Sequence, residues 1–335
     1  MQRDCRFDIA RVVCMTYIVA FCHLWSYVHP EVISAIYVHP IFLILTNTCL
    51  GLFTFASGYL LGQKYSFGKG GNSNIWQFYY KRIIRIIPLF VLASVVLYLI
   101  GLNGYKATMN GVLCISPFIK PRPKTLWYIP VLLFCYFITP IVSRKNMVWR
   151  IGVGLALALA VWLLQKLISS VDWRLSFYLF FYLLGLVTSP YFNWKFEKTP
   201  YVKLFTVIVF CVLAIICLWI SPTVLYKKVV AGIGVFAVLF VCEFFASLCF
   251  KRVSPASIFN RIVLNVSYAS MACYMFHRLF FWLGERIFNP DLSWVKWLYM
   301  AGLIYPIMLV LSFGIQKGYD SLVGFIKLNN TNKKL

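Results

Sequence analysis

Acidic side chains are scarce in this sequence. Nine Asp and Glu stand against 32 Lys and Arg in 335 residues, and charged residues of both signs make up only 12% of the chain. A chain with so little charge and 61% hydrophobic residues does not match a soluble domain, whose apolar share rarely exceeds about half. Metal-ligand spacing is also missing. The eleven cysteines are scattered, mostly inside apolar runs (Cys14, Cys22, Cys49, Cys135, Cys211, Cys217, Cys273), and form no C-x-x-C or Cys/His cluster. They read as small core residues, and no metal is expected. There is no internal repeat, and no small-residue cleavage site follows the first apolar run, which argues against a removable signal. The connections at about 63–82 and 101–125 are the longest. They carry turn formers (Gly68, Gly70, Gly71; Pro117, Pro121, Pro123) and are too short to fold alone. The expectation is one membrane domain over residues 1–335 with no appended soluble domain.

What is present is a series of long, continuous apolar runs. They favour an all-α polytopic membrane protein over a barrel, whose strands would alternate in short segments. Ten spans are expected, at about 9–29, 41–62, 83–100, 126–142, 151–168, 174–190, 204–220, 229–250, 262–284 and 297–316. The net charge of +23 would suit nucleic acid, but most of the basic residues sit in short loops between the runs. With ten spans, 21 Lys and Arg fall on the side of the termini and ten on the other, and Arg278 lies inside the ninth span. That asymmetry places both termini in the cytoplasm and makes a nucleic-acid partner unnecessary.

Several residues break the apolar pattern. The first span carries Arg11 and His23, roughly 18 Å apart along a helix axis and expected on a similar side. An ionisable group at such depth is a functional-site hypothesis, set against a histidine that merely bonds a neighbouring helix. The second span ends Phe53-Thr-Phe-Ala-Ser57-Gly58-Tyr59-Leu-Leu-Gly62, where the small residues also suit close helix packing. At the mouth of the third, Lys81-Arg82-Ile-Ile-Arg85-Ile-Ile-Pro88 sets two guanidiniums three residues apart on one face. They fit phosphate oxygens, or lipid headgroups. Trp127, Tyr128, Tyr136 and Pro140 mark the fourth span. The ninth holds Ser267-Tyr268, Tyr274 and His277-Arg278, also readable as an interfacial anchor pair. Glu243 is the one acidic residue well inside an apolar run, so a basic partner or protonation is expected for it.

In order along residues 3 to about 282, these segments resemble the acyltransferase-3 family of bacterial membrane-bound O-acyltransferases. Arg11 and His23, Phe55-x-Ser57-Gly58-Tyr59, Arg82-x-x-Arg85-x-x-Pro88, Leu126-Trp127 through Tyr136 and Pro140, and Ser267-Tyr268 through His277 carry the likeness. The usual pattern has one residue fewer between the basic residue and the histidine than the eleven found here, Val12 to Cys22. The resemblance implies transfer of an acetyl or other small acyl group from acetyl-CoA, a co-substrate rather than a bound cofactor, at a bacterial inner membrane. The acceptor would be a hydroxyl of a surface polysaccharide or lipid-linked glycan. His23 would be the general base. Arg82 and Arg85, with Arg11 or Lys81, would hold the donor phosphates, and Ser57 or Tyr59 would face the oxyanion or serve packing. Trp127, Tyr136, Tyr268, His277 and Glu243 would surround them or the acceptor. The alternative is a transporter or flippase for a lipid-linked glycan, against which stands the absence of paired, broken half-repeats.

Overall fold

The computed structural model describes residues 5–28, 39–67, 73–144, 146–189, 200–219, 223–252 and 258–332. The loop glycines Gly68, Gly70 and Gly71 lie outside these residues, as do Arg3, Lys69, Lys145, Lys195, Lys198, Lys333 and Lys334 of the charge count. Among the described residues every regular element is helical. The chain divides into two compact units, Met1–Tyr37 with Phe245–Leu335, and Val38–Phe244.

The first unit is built on three helices. Helix α1 runs Cys5–Thr16, continues as a π-helical stretch over Tyr17–His23 and returns to α-helix over Leu24–Val28. The intervening α2 to α9 belong wholly or mainly to the second unit. Helix α10 covers Ile258–Ile287, and α11 runs Ser293–Tyr299, a π-helical turn Met300–Ile304, and Tyr305–Asn332. Helix α10 packs against both α1 and α11, and Ser293–Tyr299 also meets Leu24–Val28. The final helix extends well beyond the span expected at 297–316.

The second unit contains α2 (Pro40–Lys64), α3 (Ile75–Leu99), α4 (Tyr105–Val112), α5 (Tyr128–Val142), α6 (Met147–Leu167), α7 (Trp173–Thr188), α8 (Pro200–Trp219) and most of α9 (Val224–Arg252). Local chemistry sets several starts. Pro40 opens α2, where a missing N–H costs nothing. Asn74, Asn146 and Asp172 cap α3, α6 and α7 by accepting from Gln77 N, Trp149 N and Arg174 N at 3.1, 3.2 and 3.0 Å. Helix α4 ends with Cys114 at φ 60°, the left-handed position usually given to glycine.

The closest crossing is α2 against α7. A Cβ on Gly58 would lie 2.1 Å from the Tyr182 carbonyl oxygen, one on Gly62 2.4 Å from that of Leu186, and one on Gly185 2.4 Å from that of Phe55. Backbone therefore meets backbone along this seam, as small residues permit in lipid. The packing reading of Gly58 and Gly62 holds.

Each expected span falls on a helix, but the helices are unequal. Six segments are long and apolar enough to cross a membrane: Cys5–Val28, Pro40–Lys64, Ile75–Leu99, Met147–Leu167, Val224–Ser247 and Ser293–Phe325. Tyr128–Val142, Trp173–Thr188 and Pro200–Ile216 are apolar but shorter. At about 1.5 Å per residue, the 15 residues of α5 span roughly 22 Å of a hydrocarbon core near 30 Å. Helix α10 has length to spare, and its polar residues (Asn265, Ser267, Ser270, His277, Arg278) make it less apolar than the six.

Candidate active site

Within the first unit, the π-helical stretch of α1 ends on His23. Twelve ideal α-helical steps of about 100° would leave Arg11 and His23 about 120° apart, not on a similar side. A π turn closes i→i+5 and so rotates the chain less per residue. The stretch therefore brings His23 back toward the side of Arg11. It lies within the eleven-residue interval Val12–Cys22 and its end, so the extra residue is absorbed without turning the histidine away.

His23 is half-buried and stacks on His277 of α10, with ring centroids 4.7 Å apart and planes 5° from parallel. His277 is fully buried. Its Nδ1 lies 2.7 Å from the carbonyl oxygen of Tyr274. A carbonyl only accepts, so Nδ1 carries the proton, and Nε2 of the neutral ring is left with a lone pair. That Nε2 is buried with no hydrogen-bond partner among the described residues, as is Nδ1 of His23.

The neighbouring side chains lock the pair. Arg278 Nη1 donates to Ser26 Oγ at 2.8 Å, and Ser26 Oγ donates to the His23 carbonyl at 2.6 Å. Tyr27 OH donates to the Arg278 carbonyl at 3.2 Å, while the Arg278 guanidinium lies 5.4 Å from the centre of the Tyr27 ring. Phe281 closes the cluster against Tyr27 and, edge-on, against His277. The anchor-pair reading of His277 and Arg278 thus gives way to a buried assembly around His23.

Toward the start of α1, Asp8 is only 2% exposed; it accepts from Ser267 Oγ at 2.6 Å and has Arg11 Nη1 at 3.8 Å. Tyr268 hydrogen-bonds Asp320 of α11, which also accepts from Gln316 Nε2 at 3.1 Å. Asp8, Ser26 and Asp320 were not singled out from the sequence. Asp8 alone had a local signal, three residues before Arg11 on one helical face.

In the second unit, Arg82 is half-buried with its guanidinium over three rings, those of Tyr136, Phe78 and Tyr65, at 5.5, 5.6 and 5.9 Å. Its Nε is buried without a hydrogen-bond partner among the described residues. Aromatic faces stabilise a cation without neutralising it, so the planar fork stays available to an anion. Lys81 and Arg85 are exposed. Tyr136 therefore belongs with Arg82. Its neighbour Tyr182 shares a hydrogen bond with Thr139 inside the same packing. Ser57 is half-buried, and Tyr59 is buried along the α2–α7 seam beside Phe55.

Trp127 lies under Arg174, whose guanidinium carbon is 3.7 Å from the indole centre, and stacks on Tyr178 at 5.8 Å. Arg174 binds Asp172 through Nε and Nη2 at 2.8 and 2.6 Å. Arg122 reaches the same carboxylate at 3.2 Å and donates to the carbonyls of Ser116, at 3.0 Å, and Ser170. Asp172 N donates to Pro117 O at 2.8 Å, and Ser170 Oγ to Phe118 O at 2.8 Å. Burial pushes the Arg122 guanidinium below its ordinary value, Asp172 opposes that, and Arg174 adds to it. In the basic loop before α5, Arg122 is a structural clasp onto the start of α7. Glu243 pairs with Lys203 of α8 at 3.0 Å.

No curated protein and no solved structure is detectably similar to this chain. The model of the acyltransferase-3 family, described as an acyltransferase domain, matches residues 6–317, nearly the whole length and all the residues just placed except Asp320. With its apolar helices, the chain belongs to that family and is an integral membrane acyltransferase.

Proposed function

We propose that this protein is an O-acyltransferase moving an acetyl or other small acyl group from acyl-CoA, on the cytoplasmic side, to a hydroxyl of a surface polysaccharide or lipid-linked sugar. The observation that carries the reading is an imidazole at the end of a π-helical stretch, stacked on a second imidazole and tied at its backbone through Ser26 to an arginine, in a family of acyltransferases. π-Bulges in helices recur at functional sites.

In this reading His23 accepts the proton of the acceptor hydroxyl as its oxygen attacks the thioester carbonyl. The tetrahedral intermediate collapses with cleavage of the C–S bond. The imidazolium returns its proton to the departing thiolate, giving an ester and free CoA. Arg82 and Arg85, with Lys81 or Arg11, bind the donor phosphates. The aromatic surround of Arg82 supports that role, because it leaves the guanidinium without a carboxylate partner among the described residues. The lopsided loop charges support ten spans with both termini in the cytoplasm, in a bacterial inner membrane.

The test is turnover of radiolabelled acetyl-CoA by the purified protein in nanodiscs, with and without a glycan-lipid extract. A general base contributes about 10²–10⁴-fold, so His23→Ala is expected to lose transfer by that factor while still binding donor. Arg82→Ala/Arg85→Ala is expected to weaken donor binding instead. Full transfer by a folded His23→Ala protein would overturn the assignment.

A further inference from the structure

The structure gives His23 a partner that the chemistry above does not use. His277 spends no hydrogen bond on a substrate-like group: its Nδ1–H goes to its own helix, at the Tyr274 carbonyl, and its Nε2 meets no donor among the described residues. A phenyl ring in this place would stack equally well and would leave no polar atom orphaned in the interior, where such an atom costs about 1–3 kcal/mol. What the imidazole has and a phenyl lacks is the N–H that pins the ring plane to the α10 backbone. The His23 ring lies within 5° of that plane.

We propose that His277 is a positioning residue for His23. Its Nδ1–H fixes its own ring, and the fixed ring sets the plane and direction of the proposed base. The assignment rests on His23 acting as a base. Two further contacts tie the same stretches of α1 and α10 together, and a third carries the link to residue 23 within α1. Arg278 reaches Ser26, Ser26 reaches the His23 carbonyl, and Tyr27 reaches the Arg278 carbonyl. The π-helical stretch makes such a clamp necessary. Its wider turn departs from the i→i+4 ladder that would otherwise hold residue 23 in register. The ring stack acts on the side chain and the Arg278–Ser26 link on the backbone. Together they restrain the χ angles and the position of one imidazole. A general base must reach its proton at hydrogen-bond distance, and an error of about 1 Å can cost about a hundredfold.

The chain has four histidines, His23, His29, His39 and His277, which makes ring-¹⁵N labelling decisive. The full-length protein in nanodiscs, labelled at the imidazole nitrogens, gives signals assignable by single substitution. In wild type, His277 is expected as the neutral ring protonated at Nδ1, and His23 as one sharp set of signals. Two variants then separate the contributions. His277→Phe keeps a flat ring and loses the pinning N–H. Ser26→Ala unties Arg278 without touching either imidazole. The expected result is that the His23 signals shift or split in His277→Phe, and less so in Ser26→Ala, with thermal unfolding of each variant still cooperative. In the same preparations kcat for acetyl-CoA falls at least about tenfold in His277→Phe while KM stays within about twofold, because orientation rather than donor binding is lost. His23 signals at wild-type positions in both variants would overturn the positioning role. A wild-type protein that never turns over acyl-CoA would sink the acyltransfer chemistry assigned to His23, yet the ring signals would still decide whether His277 orients it.

Discussion

The α2–α7 seam yields the sharpest test of the fold. In Gly58→Ala the new methyl would sit 2.1 Å from the Tyr182 carbonyl oxygen, 3.0 Å from its carbon and 3.1 Å from Leu186 N. All three are backbone atoms of a neighbouring helix and cannot swing away. Carbon and oxygen at ordinary contact need more than 3 Å, so the helices must part by about an ångström along a seam that also holds Gly62 and Gly185. Overpacking of this kind costs typically 1–3 kcal/mol, and rigid backbone argues for the upper end. Alanine returns up to about 1 kcal/mol through helix propensity. The net loss is about 2 kcal/mol, or about 3 °C in Tm for a chain of 335 residues. Gly152→Ala in α6 is the control. Nothing lies within 4 Å of its new methyl, so only the propensity gain remains. The assay is thermal unfolding in detergent followed by a thiol-reactive dye, which the buried Cys49, Cys135 and Cys242 of the same unit report. A Gly58→Ala protein melting at or above wild type would refute the backbone-on-backbone seam. So would a Gly152→Ala protein that loses as much.

Two other positions carry predictions. Cys114 closes α4 in the left-handed conformation, so Cys114→Gly should raise stability by about 0.5–1 kcal/mol in the same melt while Cys114→Ala leaves it unchanged. Burial pushes the Cys114 thiol up, so less thiolate exists at a given pH. Its alkylation by iodoacetamide should lag a free thiol at pH 8 and accelerate as the pH is raised beyond the ordinary cysteine range. Arg122→Ala removes bonds to Asp172 and to two carbonyls and should cost about 2 kcal/mol, with a lower Tm. Arg122→Lys should recover little of it, since one ammonium cannot reproduce the guanidinium fork.

The helices were legible because lipid forces long apolar runs, and a run is a local property of the sequence. The basic side chains were legible as types but not as partners. Nothing near Arg122 announces that its carboxylate is Asp172, fifty residues on, and a loop rich in Lys, Arg and Pro looks solvated until that pairing is seen. Arg82 and Arg85 are alike in sequence. The structure surrounds one with aromatic rings and leaves the other exposed, because Tyr136 arrives from α5. Arg11 and His23 were expected on a similar side, which an ideal α-helix would not give; the π-helical stretch makes up the difference in rotation. A π-helical stretch leaves no composition signal, since it is a matter of which carbonyl each N–H finds.

Helix α10 shows why the least apolar helix matters most in its unit. Its polar residues would be a liability facing lipid, where an unsatisfied group has no water to turn to. Instead each of the marked ones meets a named partner. Ser267 meets Asp8, Tyr268 meets Asp320, His277 meets His23, and Arg278 meets Ser26. Three of those four partners lie on α1, and the numbers rise together along both helices, with Asp8 opposite Ser267 and residues 23–26 opposite 277–278. The two helices therefore run in the same direction, and α1 and α10 present their polar residues in register over about ten to fifteen residues, roughly 15–22 Å at helical rise. One parallel pair thus carries a carboxylate–serine contact near one end and the stacked imidazoles further along. The two places lie fifteen residues apart on α1 and ten apart on α10, and a one-residue slip of α10 along α1, about 1.5 Å, would break the Asp8–Ser267 bond and the ring stack at once. Polar contacts at both ends of the pair set its register, and that register is what delivers His277 to His23.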